Sequence, residues 1–386
     1  MNFAFLIIIR LKQYLIILFL VYPFLSPAQE TGCFYANSNN ELELETNVDF
    51  SKCDAFFLGE FHGVYGISEI KLALVKYLNT KYGISDVFME IDYSSAWLYN
   101  RYLQTGDTTL FTSPMLVYAM KQPNRDFWKN LYQFNKTTGR KITIHGMDFE
   151  RLDFIKALKL LMPPGKEKPK DISAMLHFID TLSVTDINNS PLELEKRWPA
   201  LAGHFVGESL LYGSIKNDIK KNRSLYQQYY GENFKTVAQI MFNENTFGKF
   251  DQRNKTMYRN MKKEIKEQGI KKFITFNGLA HGDKSDPKTR SLCYRLAESK
   301  PFKNKLAVIA TLCKNCYNWE LIPRYRDVPY YAPPTYKKDT ALLNSIFDHY
   351  SNPKCKYTLI PSLTTGNSKV ENFSDYLILM RDQPEF

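Results

Sequence analysis

The feature that most constrains the fold is a repeated pattern in which a short apolar run ends in a pair of ionisable side chains. The pattern occurs four times, after residues 55–58, 86–89, 141–144 and 273–276. The pairs that follow are Glu60 and His62, Glu90 and Asp92, His145 and Asp148, and His281 and Asp283. Apolar runs of this length are typical of buried strands.

The segments between these runs have apolar residues at helical spacing, and further strand-like runs follow at 306–311, 357–360 and 376–380. Strands that alternate with helices predict an α/β fold with a mainly parallel central sheet flanked by helices. Ligands of such sheets bind beyond the carboxyl ends of the strands. We therefore expect the ionisable pairs to meet at one edge of the sheet.

Residues 29–386 are predicted to form a single domain. Residues 149–245 have helical periodicity and few strand signals, and we expect a large helical insertion there. Residues 29–53 are polar and are expected to run over the surface, and residues 317–340 form a loop rich in aromatic residues and proline.

The first 28 residues predict a secretory signal peptide. They carry Arg10 and Lys12, no acid and long apolar stretches, and small residues precede a cut after Ala28. Prolines at positions 23 and 27 interrupt the apolar run, which favours cleavage over the alternative, an uncleaved membrane anchor. The mature chain is then periplasmic or extracellular, with membrane contact only through the signal peptide before cleavage.

Charge and cysteine content limit the partners further. The formal net charge is +11, but the lysines are scattered, so nucleic-acid binding is not predicted. All six cysteines follow residue 28, and their pairing is left open. Cys313 and Cys316 are the one close pair; since no second Cys-x-x-Cys completes a zinc site, we expect a structural disulfide or free thiols.

The ionisable pairs are suited to the activation of water. The chain has no Gly-x-Ser-x-Gly, no phosphate-binding Gly-x-x-x-x-Gly-Lys loop, no Gly-x-Gly-x-x-Gly and no His-Glu-x-x-His. A histidine oriented by a carboxylate takes a proton from water, and a second histidine or an arginine stabilises the oxyanion. The same side chains are also suited to hold a divalent metal ion that lowers the pKa of water. The residues alone do not separate these mechanisms.

Several motifs resemble the erythromycin esterase-like family, over about residues 50–285. They are Gly59-Glu60-Phe61-His62-Gly63, Phe88-Met89-Glu90, His145-Gly146-Met147-Asp148, Arg253-Asn254-x-x-Met257 and Asn277-Gly278-x-Ala280-His281. The esterases usually have two residues between the glutamate and the histidine, whereas this chain has one. The Gly-x-x-His opening resembles the related Tiki and ChaN-like proteins. The resemblance implies ester hydrolysis, metal-dependent peptidase activity for a Tiki-type member, or haem binding for a ChaN-like member.

By this resemblance four residues match functional positions: Glu60, His62, Glu90 and His281. We expect an exported hydrolase of an ester-like bond in a small-molecule substrate, with His62 as general base and the other three orienting it or stabilising charge. No cofactor is required in this interpretation. The alternatives are a metal-dependent hydrolase or peptidase with the same four residues as candidate ligands, and a non-enzymatic protein that binds haem or another small ligand.

Three further residues are assigned supporting roles. Arg253 either binds an anionic group of the substrate or pairs with a buried carboxylate. His145 and Asp148 are expected to support the site from behind.

Overall fold

The computed structural model describes residues 31–64, 66–112, 124–151, 153–182, 208–243, 249–285, 287–288, 290–316 and 330–382. The predicted signal peptide and residues 317–329 of the aromatic loop lie outside these ranges. Among the residues described, no helix has the length and hydropathy needed to cross a membrane.

Within the described ranges, ten strands form one sheet. The strands are β1 Gly32–Ala36, β2 Leu42–Thr46, β3 Ala55–Glu60, β4 Asp86–Met89, β5 Thr143–Gly146, β6 Phe273–Gly278, β7 Leu306–Lys314, β8 Tyr330–Tyr331, β9 Tyr357–Pro361 and β10 Tyr376–Arg381. Their order is β2-β1-β9-β10-β7-β3-β6-β4-β5, and β8 pairs with β7. The six strands from β10 to β5 pair in parallel, and the remaining pairs are antiparallel. The mainly parallel sheet is confirmed.

The described segments also contain the α-helices of the fold. They are α1 Gly66–Tyr82, α2 Tyr93–Thr105, α3 Asn124–Thr137, α4 Asp153–Leu161, α5 Ser173–Thr181, α6 Glu208–Lys221, α7 Arg223–Tyr230, α8 Phe234–Phe242, α9 Phe250–Gln268, α10 Leu292–Ala297, α11 Thr340–Tyr350 and α12 Ser368–Phe373.

Strand β3 shows why the centre of the sheet is apolar throughout. Every residue of β3 is buried, because both faces of the strand are covered. Phe56 and Leu58 pack into the core that contains Leu74 of α1. Phe57 points to the other face, where Met257 and Met261 of α9 lie. Helices α1 and α9 therefore cover opposite faces beside the strand that delivers Glu60.

The region between β5 and β6 is helical where the structure describes it, from α4 to α9. Apolar side chains of α4 to α8 form a separate core that includes Phe154, Tyr226 and Val237. No strand of the sheet lies in the described part of this region. That the helices form one large insertion over residues 149–245 stays a prediction, since residues 183–207 and 244–248 lie outside the described ranges.

The prediction that residues 29–53 only run over the surface is wrong. Strands β1 and β2 form an antiparallel hairpin that extends the sheet beside β9. Residues of β1 and β2 alternate between buried and more exposed positions, which is typical of strands with one solvent-facing side. The glutamates of β2, the edge strand, also suit a loop, and β1 is only five residues long.

The cysteines form two disulfides, Cys33–Cys355 and Cys313–Cys316. The first links β1 to the segment before β9, and the second closes the end of β7. Cys53 and Cys293 are free thiols. Of the two possibilities expected for Cys313 and Cys316, a structural disulfide or free thiols, the structure has the disulfide.

Candidate functional site

Three neighbouring parallel strands, β3, β6 and β4, deliver the candidate residues to one edge of the sheet. Glu60 is the last residue of β3 and pairs in register with Gly278, the last residue of β6. Glu90 directly follows β4, and His281 lies in a short 3₁₀ turn after β6. Because the strands are parallel, their carboxyl ends bring these side chains together.

Glu90 is the centre of the site. Its Oε1 atom accepts a hydrogen bond from Arg253 Nη2 at 2.6 Å and lies 3.3 Å from His281 Nε2. Its Oε2 atom accepts the backbone N–H of Gly278 at 2.7 Å and lies 3.6 Å from His62 Nε2. Burial alone raises the pKa of Glu90, but His281 and His62 outweigh it and hold the pKa well below its usual value. Glu90 is therefore a buried, ionised carboxylate between two imidazoles.

His62 is held on its other side by Glu60. The Nδ1 atom of His62 lies 3.0 Å from Glu60 Oε1, so the ionised carboxylate accepts Nδ1–H. The Nζ atom of Lys71, on α1, donates to Glu60 Oε1 at 2.7 Å and lies 2.6 Å from Oε2. Burial raises the pKa of Glu60, but Lys71 and His62 outweigh burial and lower the pKa.

The two carboxylates set the charge of His62. Burial lowers the pKa of His62, whereas Glu60 and Glu90 raise it by more, so the net shift is upward. The side chain of His62 is still half exposed, because 49 % of its surface reaches solvent. His62 is thus a solvent-accessible imidazole that favours the protonated form.

The ring orientation of His281 follows from a chain of backbone and side-chain contacts. Leu292 N donates to Asn254 Oδ1 at 3.2 Å, which identifies that amide atom as oxygen. His281 Nδ1 lies 2.6 Å from the same oxygen and must therefore carry a proton. The remaining nitrogen, Nε2, is the one that faces Glu90. The ring of Phe250 stacks on His281 at 4.7 Å between centroids and covers it.

Arg253 links Glu90 to Asp148. Its Nη2 atom donates to Asp148 Oδ2 at 2.6 Å, and its Nε atom donates to Oδ1 at 3.2 Å. Arg151 Nη2 donates to the same Oδ2 atom at 3.2 Å. Arg253 thus pairs with buried carboxylates, which is one of the two alternatives that the sequence left open. Binding of an anionic group of the substrate stays a prediction.

His145 lies apart from these contacts, although the sequence placed it behind the site. Its Nε2 atom lies 2.8 Å from Asp86 and its Nδ1 atom 3.2 Å from Glu264. These three residues line a separate cavity of about 680 Å³. The reason is a difference in strand boundaries. The sequence predicts the strand at 141–144, but the structure has it at Thr143–Gly146, so His145 lies within β5 and not beyond its end.

Asp92 and Asp283 also have local roles. Asp92 caps α2 by accepting the N–H of Ser95 at 2.7 Å. Asp283 accepts the N–H of Ser285 at 2.9 Å within a turn. Neither contact involves Glu90.

Sequence reasoning missed Lys71, Asn254, Arg151 and the close approach at Gly278. Lys71 had a signal, because it falls on the buried stripe of α1 formed by Ile67, Leu74 and Leu78, where a lysine needs a partner. A Cβ atom on Gly278 would lie 2.9 Å from His62 Nε2, so the glycine leaves room for the imidazole.

The predicted metal ligands do not fit a metal ion well. In the part of the chain that the structure describes, no three histidine, cysteine, aspartate or glutamate side chains are arranged to hold one. The carboxylates of Glu60 and Glu90 are instead bound by the ammonium group of Lys71 and the guanidinium of Arg253. These fixed cations occupy the oxygens that a metal ion needs.

Comparisons with known proteins identify the fold. No protein-family model and no curated protein sequence matches the chain. The structure is similar to the crystal structure of a Bacillus cereus protein, with a TM-score of 0.51 and 16 % identity over 86 % of this chain and 89 % of that one. It is also similar to a succinoglycan biosynthesis protein, with a TM-score of 0.50 and 15 % identity over 86 % of this chain and 88 % of that one.

A mutant of the erythromycin esterase EreC in its open conformation aligns at a TM-score of 0.49 and 13 % identity, over 86 % of this chain and 91 % of that one. At the identities of the first two structures, the similarity concerns the fold and not the activity.

Proposed function

We propose that the protein hydrolyses an ester-type bond in a small molecule, using a water molecule activated by His62. The observation that carries this proposal is the position of His62 between Glu60 and Glu90. Glu60 accepts Nδ1–H, so Nε2 is the nitrogen that takes a proton from water. The exposed half of the imidazole gives water and substrate access to it.

The other groups have complementary roles in this proposal. Glu60 stabilises the positive charge that His62 gains when it accepts a proton, and Lys71 keeps Glu60 ionised. Once Nε2 of His62 carries the proton taken from water, Oε2 of Glu90 stabilises that proton, and Oε1 of Glu90 faces Nε2 of His281. Arg253, which is 24 % exposed, stabilises the oxyanion that forms on the attacked carbonyl.

We further propose that the protein acts after export. The two disulfides support an oxidising compartment, where such bonds persist. Secretion with cleavage after Ala28 is tested by the N-terminal sequence of the protein recovered from the periplasm or medium.

The test is hydrolysis of a panel of carboxylic esters, with and without a chelator, by the wild type and by His62→Asn. We expect hydrolysis that the chelator does not affect, and a loss of kcat by a factor of about 10²–10⁴ in His62→Asn. The matched control is His177→Asn, since His177 is exposed on α5. Loss of activity with chelator would support the metal-dependent alternative, and an absorption band on addition of haem would support the haem-binding one.

A further inference from the structure

The charged groups around Glu90 are sorted by depth. Three carboxylates are nearly closed to solvent, with 5, 9 and 0 % of their side-chain surface exposed: Glu60, Glu90 and Asp148. Three cationic side chains that contact them expose 49, 24 and 28 %: His62, Arg253 and Arg151. Among these described side chains, the cations are therefore more accessible to an approaching molecule than the carboxylates.

Arg151 and Arg253 share one carboxylate. Both donate to one oxygen, Oδ2 of Asp148, at 3.2 and 2.6 Å. The guanidinium carbons lie 5.2 and 5.9 Å from the centre of the Phe149 ring. The two like charges repel each other, and each guanidinium group is more exposed than the carboxylate that the two share.

The other acids near the two guanidinium groups in the described ranges are also engaged by further groups. Glu90, the second carboxylate bound by Arg253, also faces the imidazoles of His62 and His281. Asp92 interacts with Arg151 through its charge, but it is 1 % exposed and accepts hydrogen bonds from serine side chains of α2. An external anion that lies between the two guanidinium groups would relieve their repulsion.

We propose that Arg151 and Arg253 form an anion-binding subsite, and that the substrate carries an oxyanion group, a carboxylate or a phosphate, that binds there. The planar fork of a guanidinium group suits the oxygens of both anions. The statement about the substrate rests on the proposed hydrolytic function, whereas anion binding by the subsite does not.

The experiment titrates the purified protein with inorganic phosphate and, in a second arm, with acetate, by calorimetry at constant ionic strength. We expect saturable binding with a Kd on the order of 1 mM for at least one anion. Arg151→Gln should weaken binding about tenfold or more, the effect of losing a charge-assisted hydrogen bond, and Arg151→Lys should weaken it less.

The matched control is Arg223→Gln. Arg223 lies on α7 with its guanidinium carbon 5.3 Å from the centre of the Phe234 ring, so it resembles Arg151 in charge and in ring contact. Binding should be unchanged in this variant. Melting temperatures of all variants identify any that fail to fold. If Arg151→Gln fails to fold, the affinity of Arg151→Lys is compared with that of the wild type instead.

Two results would overturn the inference: no saturable binding of either anion, or an equal loss of affinity in Arg151→Gln and Arg223→Gln. The proposed function fails separately. If the protein binds phosphate through Arg151 but cleaves no ester, the anion-binding subsite is supported and the hydrolytic function is contradicted. If it cleaves neutral esters but binds no anion, the hydrolytic function is supported and the subsite is contradicted.

Discussion

Lys71 contacts both carboxylate oxygens of Glu60, at 2.7 and 2.6 Å, from a position on α1 that is otherwise apolar. Glu60 is almost fully buried at the end of β3. An ionised carboxylate in such a position needs a cation or strong donors, and Lys71 supplies the cation. The helix after β3 thus determines the charge of the residue that orients His62.

Replacing Lys71 with methionine should destabilise the protein by about 1–3 kcal/mol, because Glu60 would keep only His62 as a charged partner. Turnover should fall as well, since a partly protonated Glu60 stabilises the His62 imidazolium less. Urea denaturation and steady-state rates measure the two effects.

The double variant Lys71→Met with Glu60→Gln is the control for stability, because it removes both charges of the pair. It should be more stable than Lys71→Met alone, since the uncompensated buried carboxylate is gone. If the double variant loses as much as the sum of the single variants, Lys71 and Glu60 do not act as a pair.

The raised pKa of His62 predicts how the reaction depends on pH. The carboxylates of Glu60 and Glu90 favour the imidazolium, so at neutral pH the neutral form that acts as base is the minor one. The value of kcat should therefore rise with pH above the ordinary histidine pKa of about 6.5. Glu60→Gln should move this rise to lower pH, because one of the two carboxylates is lost. A pH profile that falls over the same range would contradict the role of His62 as general base.

The raised pKa of His62 also affects stability: the contribution of His62 to stability should fall as pH rises, whereas kcat should rise. A group whose pKa is raised on folding stabilises the protein fully below its unfolded pKa, and this contribution is lost as pH rises through the folded value. The difference in melting temperature between the wild type and His62→Asn should therefore be largest near pH 6 and should shrink at alkaline pH. A difference that grows with pH would show that the pKa of His62 is not raised.

Gly278→Ala should impair activity with little loss of stability. The added Cβ would lie 2.9 Å from His62 Nε2 and 3.4 Å from Glu90 Oε2, so the half-exposed imidazole must move away. The backbone of Gly278 has φ −53° and ψ 139°, which alanine also adopts, so the effect comes from the displaced imidazole. We expect kcat to fall by a factor on the order of 10², the cost of misplacing a catalytic group by about 1 Å.

Gly213→Ala is the matched control. Gly213 lies within α6, and a Cβ atom there would meet no atom of the described residues within 4 Å. The change should leave kcat unchanged and stabilise the helix by about 0.5–1 kcal/mol. Equal activity of the Gly278→Ala variant and the wild type would show that His62 need not stay where the structure places it.

The sequence predicts the parallel centre of the fold because its strands are buried on both faces and are therefore apolar throughout. Asp86–Met89 was predicted with the bounds that the structure gives, and the exit residues Glu60, Glu90 and His281 do come together. The hairpin of β1 and β2 was missed, because the glutamates of the edge strand β2 also suit a loop and β1 is a five-residue run between polar segments.

The contacts of His145, Lys71 and Arg151 were harder to predict. The predicted strand at 141–144 ends two residues too early, because the structure has β5 at Thr143–Gly146. This difference is enough to place His145 within the strand and not beyond its end. Lys71 reaches the site from α1, and Arg151 reaches it from the loop before α4. The sequence does not give the orientation of either segment. The catalytic roles assigned to the exit residues stay predictions.

Asn254 provides the last prediction, because it connects α9, α10 and the site. Its Oδ1 atom accepts from Leu292 N and from His281 Nδ1, so the amide fixes both the turn before α10 and the tautomer of His281. Asn254→Ala removes the acceptor for both donors. We expect a loss of about 1–3 kcal/mol in stability for the buried groups left unpaired, and a fall in kcat of about 10–100-fold as the imidazole loses its orientation.

Asn254→Asp is the control, because a carboxylate oxygen can accept from both donors as the amide oxygen does. Relative to Asn254→Ala, stability and kcat should be partly restored, since the turn before α10 and the imidazole of His281 keep an acceptor. Urea denaturation and steady-state rates measure the two effects. Full activity in Asn254→Ala, or equal impairment of both variants, would show that the contact with Asn254 does not orient His281.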